Sequence, residues 1–221
     1  MKYIIFDAGP LISFAMNGLL DILEKLKKEF PGEFIITPEV KKEVIDRPLQ
    51  NKKYELEGIK ISDLLSRSIL KLSSEFIKNP ALEKETSRIL NIANSSFKAD
   101  KNISLIQRGE ASCLAFSNLC GCENLIAIDE RTTRMLVEDP DGLKKIMEMK
   151  LHLKITIDKQ NIKKLNDFRF IRSSELLYIA YKKNLFNLKK DNILLDALLY
   201  AVKYTGTAIS QKEIEELKKL A

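Results

Sequence analysis

Four carboxylates in this chain occur where local pattern gives them little reason to be. The apolar run YIIF stops on Asp7, with Ala8, Gly9 and Pro10 directly behind it, and the run LIAI stops in the same way on Asp129. Glu43 lies in ITPEVKKEV, on a predicted helix, facing the same way as Glu39 one turn earlier. Glu110 opens the helix predicted for RGEASCLAFSNLC, where the helix dipole favours an anion. Taken singly, each reads as a helix cap or a solvated side chain, because exposed Asp and Glu are the rule. Brought together within about 4–6 Å, each close pair would repel by roughly 3–4 kcal/mol at an effective dielectric of about 20. The fold must then protonate some of them or hold a divalent cation. Oxygen ligands alone point to Mg²⁺ or Mn²⁺ rather than Zn²⁺. In a basic protein such a centre suits phosphodiester hydrolysis, with metal ions activating water and stabilising the leaving oxygen.

Other chemistries find less support. His152 is the one histidine, and its setting in LHLKITI reads as a strand, so a Ser-His-Asp or Cys-His nucleophile system lacks its base. Cys113, Cys120 and Cys122 are odd in number, and a single residue separates the last two, against the spacing of zinc ligands. An Asp-nucleophile phosphotransferase would also put an acid after the first strand, but Gly9 occupies the second acid position of its D-x-D pattern. The net charge of +6 favours an anionic partner such as nucleic acid. Lys41, Lys42, Arg108, Arg131 and Arg134 could hold RNA, the last two one turn apart beside Asp129; the alternative is a solvated helix face. No run of exposed aromatics suggests a base-stacking platform.

The elements that must position the acids follow from periodicity. Residues 2–6 read as a buried strand, and Pro10 sits in the first turn of a helix carrying Leu11, Phe14, Ala15, Leu19, Ile22, Leu23 and Leu26. Phe34 to Ile36 form a second strand, and Thr37 with Pro38 starts a helix that runs on to Pro48. The strand–helix alternation predicts an α/β fold with a central parallel sheet flanked by helices in three layers. Residues 51–102 read as a helical insertion without chemistry, with Leu64, Leu65, Ile69, Leu72 and Phe76 at helical spacing. ENLIAID is a strand buried on both faces, followed by a helix over ERTTRMLVED. The core domain is placed at 1–150. Residues 151–221 form a helical extension docked on it, with LHLKITI as an edge strand, a helix over 191–204 with Ile193, Leu194, Ala197, Leu198 and Ala201 inward, a stop at Gly206 and a capping box at Ser210 and Glu213. Asp7 interrupts the first apolar run before it could serve as a signal peptide, and no segment offers about 20 uncharged apolar residues, so a cytoplasmic protein off the membrane is expected.

FDAGPLISF, ITPEVKKEV, RGEASCLAF and LIAIDERTTR, in that order, resemble the PIN domain family of metal-dependent nucleases, the VapC-type toxins and their relatives. The closest likeness is to the subfamily that starts D-[AS]-[SG]-P-L-I and ends in a helical extension like SSELLYIAYKKNLF to GTAISQKEIEEL. The resemblance implies a PIN-like fold and makes Asp7, Glu43, Glu110 and Asp129 the four acids. They would hold one or two Mg²⁺ or Mn²⁺ ions for in-line attack of water on an RNA phosphodiester, leaving a 5′-phosphate and a 3′-hydroxyl. Asp7, Glu110 and Asp129 would be direct ligands, with Glu43 serving a second ion or orienting water. Ser13 would hydrogen-bond an acid or substrate, unless it merely bonds its own backbone. A masking antitoxin and a homodimer are also implied, and the alternative is a non-catalytic RNA- or protein-binding module. Two departures touch the surroundings of the acids: Ala8 and Gly9 stand where many relatives have Ser or Thr, and Glu130 stands where many have a second Asp.

Overall fold

The computed structural model describes residues 2–100, 103–121, 124–165 and 168–220. From the N-terminus, β1 (Tyr3–Phe6) leads into α1 (Ala8–Met16) and α2 (Leu20–Glu29), and β2 (Glu33–Ile36) into α3 (Pro38–Lys41). A π-helical turn (Lys42–Asp46) and a 3-10 turn (Pro48–Gln50) continue α3 before α4 (Glu55–Ser66). Next come β3 (Leu70–Leu72), α5 (Asn79–Ser95), β4 (Phe97–Lys98), α6 (Arg108–Cys120), β5 (Leu125–Ala127), α7 (Arg131–Glu138) and α8 (Pro140–Leu151). The chain ends through β6 (Thr156–Ile157), α9 (Lys159–Ile162), β7 (Phe170–Ile171), α10 (Ser173–Lys182), α11 (Asn192–Tyr204) and α12 (Gln211–Lys219).

Five strands make one parallel sheet in the order β3-β2-β1-β5-β7. The central strand β1 is buried at all four positions, as a strand covered on both faces must be. Helices α1, α2, α4 and α10 pack on one another, and α3, α5, α6 and α9 form the other group, giving the three-layer α/β fold expected. Phe6, Phe14, Phe34 and Phe116 are among the largest fully buried side chains, each contributing about 1.5–3 kcal/mol by leaving water. Phe6 and Phe34 meet edge to face at 5.1 Å between ring centres. Among the described residues, no helix is long and apolar enough to cross a membrane.

Several local expectations change. The long first helix is two, parted at Asn17–Leu19, where Gly18 takes φ +68° and its amide and that of Leu19 close the turn on Ala15 and Phe14. The helical spacing from Leu64 to Phe76 is also broken. Ser68 adopts φ 58°, the Ile69 amide bonds to Leu64 O and the Ser68 amide to Leu65 O, which is a Schellman stop without its usual glycine. The chain then enters the sheet as β3, paired parallel to β2, so residues 51–102 supply an edge of the sheet rather than an all-helical insertion. His152 is not in a strand; it ends α8 in the left-handed region, and β6 pairs antiparallel with β4 in a separate two-stranded ribbon. The edge strand on that side of the main sheet is β7, from within the tail. In α11 the inward residues are Leu195, Leu198, Leu199 and Val202, whereas Ile193 is exposed. The capping box at Ser210 and Glu213 forms as expected.

Candidate functional site

Register places two of the acids. β1 and β5 are hydrogen-bonded neighbours with Phe6 opposite Ala127, so Asp7 and Asp129 both leave the sheet at its carboxyl edge, where ligands of parallel α/β sheets bind. The Asp7 amide donates to Ala127 O at 2.9 Å. Asp7 stands at the N-cap position of α1, yet its side chain makes no capping hydrogen bond. Asp129 does not cap α7 either: Glu130 does, accepting from the Thr132 and Thr133 amides. Asp129 is therefore no cap of the helix that follows it, and the Ala8 and Gly9 amides favour the Asp7 charge without closing a capping hydrogen bond.

The other two acids arrive from α6 and the π-helical turn. Glu110 accepts from the Gln107 amide at 2.6 Å and from the Thr133 hydroxyl at 2.9 Å, which aims it at the same sheet edge. Glu43 sits where α3 widens into the π turn, a distortion often found at functional sites. Glu39, one turn earlier, lines a different cavity together with Ser112 but stays near enough for its charge to act on Glu43. Gly109 makes room for Glu43, since a Cβ there would stand 3.0 Å from Glu43 Oε1. The hydroxyls of Thr37 and Ser112, 2.6 Å apart and buried, tie the start of α3 to α6 and hold the two glutamates in register.

All four acids line one cavity of about 340 Å³, together with Gly9, Glu130 and Thr205. The convergence has an electrostatic signature. Burial pushes the Asp7 carboxyl up to about 7, reinforced by the charges of Glu110 and Glu43 and opposed by the Ala8 and Gly9 amides. Burial also raises Glu110, against its bonds to Gln107 and Thr133, with Glu130 and Glu43 adding to the rise. Glu43 is raised by burial, with Arg47 opposing and the charge of Glu39 adding to the rise. Asp129 is raised by burial although Ser173, Thr207 and Arg134 all favour its charge.

Asp129 is the most constrained of the four. Its Oδ1 accepts from the Ser173 amide at 2.9 Å and its Oδ2 from the Thr207 hydroxyl at 3.0 Å, while the Ser173 hydroxyl shares its one proton between Oδ2 at 2.8 Å and Oδ1 at 3.0 Å. The Ala208 amide bonds to Asp129 O at 3.2 Å. These partners lie in the tail, so residues 173–208 build the site as well as covering the core. Sequence reading missed Ser173 and Thr207; a Ser pair at the start of SSELL and a Thr on each side of Gly206 were the only signals. The Ser13 hydroxyl bonds to Thr205 Oγ1 at 2.7 Å and pins the tail to α1.

The basic residues are dispersed. Arg108 pairs with Glu83 at 2.5 Å and lies 3.9 Å from Glu39, and Lys42 pairs with Glu39 at 3.3 Å. Arg131 and Arg134 line a separate cavity with Glu138 and Glu213. Arg134 is half-buried and donates weakly to Ala208 O at 3.4 Å, whereas Arg131 is exposed without an ion-pair partner among the described residues. Cys113 is buried in α6 with its thiol toward Phe6 O at 3.6 Å; Cys122 lies outside the described residues.

Among the described residues, no three His, Cys, Asp or Glu side chains are grouped tightly enough to grip a metal ion as they stand. Acceptor capacity still differs among the acids. Asp7 carries no side-chain cap bond, Glu110 has one partner on each oxygen, and three donors converge on Asp129. No protein-family model, no curated protein and no solved structure matches the chain.

Proposed function

We propose that this protein is a PIN-like ribonuclease that hydrolyses RNA phosphodiesters with Mg²⁺ or Mn²⁺ held by the acidic cavity. The observation that carries this reading is the meeting of Asp7, Glu43, Glu110 and Asp129, from four distant segments, on the wall of one cavity at the carboxyl edge of a parallel sheet. Carboxylates buried in mutual repulsion lower the stability of the chain that carries them, and a divalent cation reverses that effect. The donor set is all oxygen, which suits a hard cation. Asp7 and Glu110 would hold it, and Glu43, whose oxygens have no hydrogen-bond partner among the described residues, would complete the coordination or orient the water. Asp129, its oxygens already engaged by Ser173 and Thr207, would act as a fixed charge unless one bond is exchanged for the ion. When bound, the ion supplies an activated water and charge stabilisation at the leaving oxygen.

RNA cleavage by the full chain with Mn²⁺, compared with Asp7→Asn, tests this. Cleavage that disappears with chelator and in the variant is expected; undiminished cleavage by the variant would overturn the assignment. A second reading, a non-catalytic RNA- or protein-binding module, draws on the full engagement of Asp129 and the spacing of the acids. It requires no cleavage of any RNA with Mn²⁺, with salt-sensitive binding retained. A masking antitoxin and a homodimer remain proposals attached to the nuclease reading, checked by co-purification and by light scattering.

A further inference from the structure

Beside the acidic cavity lies a larger one of about 560 Å³, and the two share Ile12, Glu43 and Thr205 as a common wall. Its size falls in the range of small-ligand sites. The turn from Pro48 and the start of α4 form one side, packed closely because Gly58 leaves room: a Cβ there would stand 3.0 Å from Pro48 Cβ. Tyr54, at the N-cap of α4, and Tyr204, the last residue of α11, contribute rings from positions 150 residues apart. Tyr204 is 80% exposed and stacked on Tyr200 at 5.9 Å, and Met16 and Ile12 are exposed beside it. Large aromatic and aliphatic surface left open to water in a concave site marks a place where something flat and apolar binds.

The charges narrow what that is. Glu43 and Glu57 on this wall oppose a phosphate inside the cavity, whereas the ring faces left over, with Lys53 Nζ 4.9 Å over one face of Tyr54 and Tyr200 against one face of Tyr204, suit an uncharged planar group. Arg47, exposed and without an ion-pair partner among the described residues, also lines the cavity and feels the charge of Glu43. It is placed to meet an anion next to the planar group. A single-stranded nucleotide chain has this order of parts, with bases that can splay out and stack on aromatic side chains.

We propose that this second cavity seats the unpaired base of a nucleotide flanking the cleaved bond, between Tyr54 and Tyr204, with Arg47 on the adjoining phosphate. The proposal rests on the ribonuclease reading and makes the substrate single-stranded RNA held by one base beside the acids. A duplex would keep that base in its stack and out of reach.

Short single-stranded RNAs with an abasic nucleotide placed at each position around the cleaved bond provide the test, using the full chain with Mn²⁺. One abasic position is expected to lower kcat/KM by about 10-fold or more, the worth of one base–aromatic stack. Tyr54→Ala and Tyr204→Ala should lose a similar factor on intact RNA and lose little more on that abasic RNA. Equal abasic effects in all three proteins, or none at any position, would overturn the proposal while leaving the nuclease reading in place. A parallel measurement reads the base without cleavage: 2-aminopurine at that position, bound to Asp7→Asn, should be quenched, and Tyr204→Ala introduced beside Asp7→Asn should abolish the quench. Quenching without any cleavage by the unaltered chain would support the base site and overturn the nuclease reading; neither signal would overturn both. Cleavage and quenching indifferent to both tyrosines would assign the cavity to an apolar protein segment instead.

Discussion

Asp7 should make the metal-free protein less stable as the pH rises. Its carboxyl has an ordinary value of 3.8 and is pushed to about 7 by burial and by Glu110. The folded state therefore holds a proton that the unfolded state releases, and the contribution is fully present below about pH 4. It is lost at about 1.4 kcal/mol per pH unit as the pH climbs, and the loss levels off above about pH 7. The product of 1.36 kcal/mol and the rise from 3.8 to about 7 is about 4 kcal/mol. Glu110, Glu43 and Asp129 are raised as well and add in the same direction. Asp7→Asn removes the titration while keeping the size of the side chain. In chelator at pH 8 the variant should be more stable than the unaltered chain by a few kcal/mol, and the advantage should shrink toward pH 4. Urea unfolding followed by circular dichroism across this range measures it. Added Mn²⁺ should invert the order, stabilising the unaltered chain far more than the variant. An unaltered chain as stable at pH 8 as at pH 5 in chelator, with no advantage for Asp7→Asn, would refute the idea that buried carboxylates oppose one another here.

Gly109→Ala should preserve or slightly raise thermal stability, because alanine favours helix by about 1 kcal/mol, yet its Cβ would crowd Glu43 Oε1 at 3.0 Å. Cleavage should fall about 10- to 100-fold, as when the support of a metal ligand is disturbed; equal activity would show that the position of Glu43 is immaterial. Ser173→Ala removes one donor from both Asp129 oxygens, and a loss of about 1–3 kcal/mol in urea unfolding is expected; a change below about 0.5 kcal/mol would mean the tail does not hold Asp129. Arg131→Ala should weaken RNA binding and lower its salt slope by about 1. Arg134→Ala should instead lose stability, since Arg134 is half-buried against Ala208; equivalent binding losses would contradict that division.

Much of the site could be read from sequence because parallel strands obey one simple rule. A buried strand must run apolar on both faces, so acids at the ends of YIIF and LIAI announced the sheet edge, and the pairing of β1 with β5 brought them together. Glu110 was marked by its place at a helix start, and its bond to the Gln107 amide follows from that place. What periodicity could not reveal was conformation without a residue signature. Ser68 takes a left-handed stop that glycine usually announces, so a strand edge read as helix; His152 hid a helix end in the same way. The π turn at Lys42–Asp46 leaves no mark on composition, so helical spacing could not say that Glu43 and not Glu39 lines the acidic cavity. Ser173, Thr207, Tyr54 and Tyr204 are ordinary polar and aromatic residues in sequence, and only the folded tail brings them to the acids and to the adjoining cavity.

Crystals of the full chain soaked in Mn²⁺, with anomalous diffraction recorded at the manganese edge, test the proposed metal centre most directly. A peak between Asp7 and Glu110, within bonding reach of Glu43 and lost in Asp7→Asn, is the expected result. Strong Mn²⁺ peaks elsewhere with none in this cavity, from crystals that diffract well enough to show them, would contradict it.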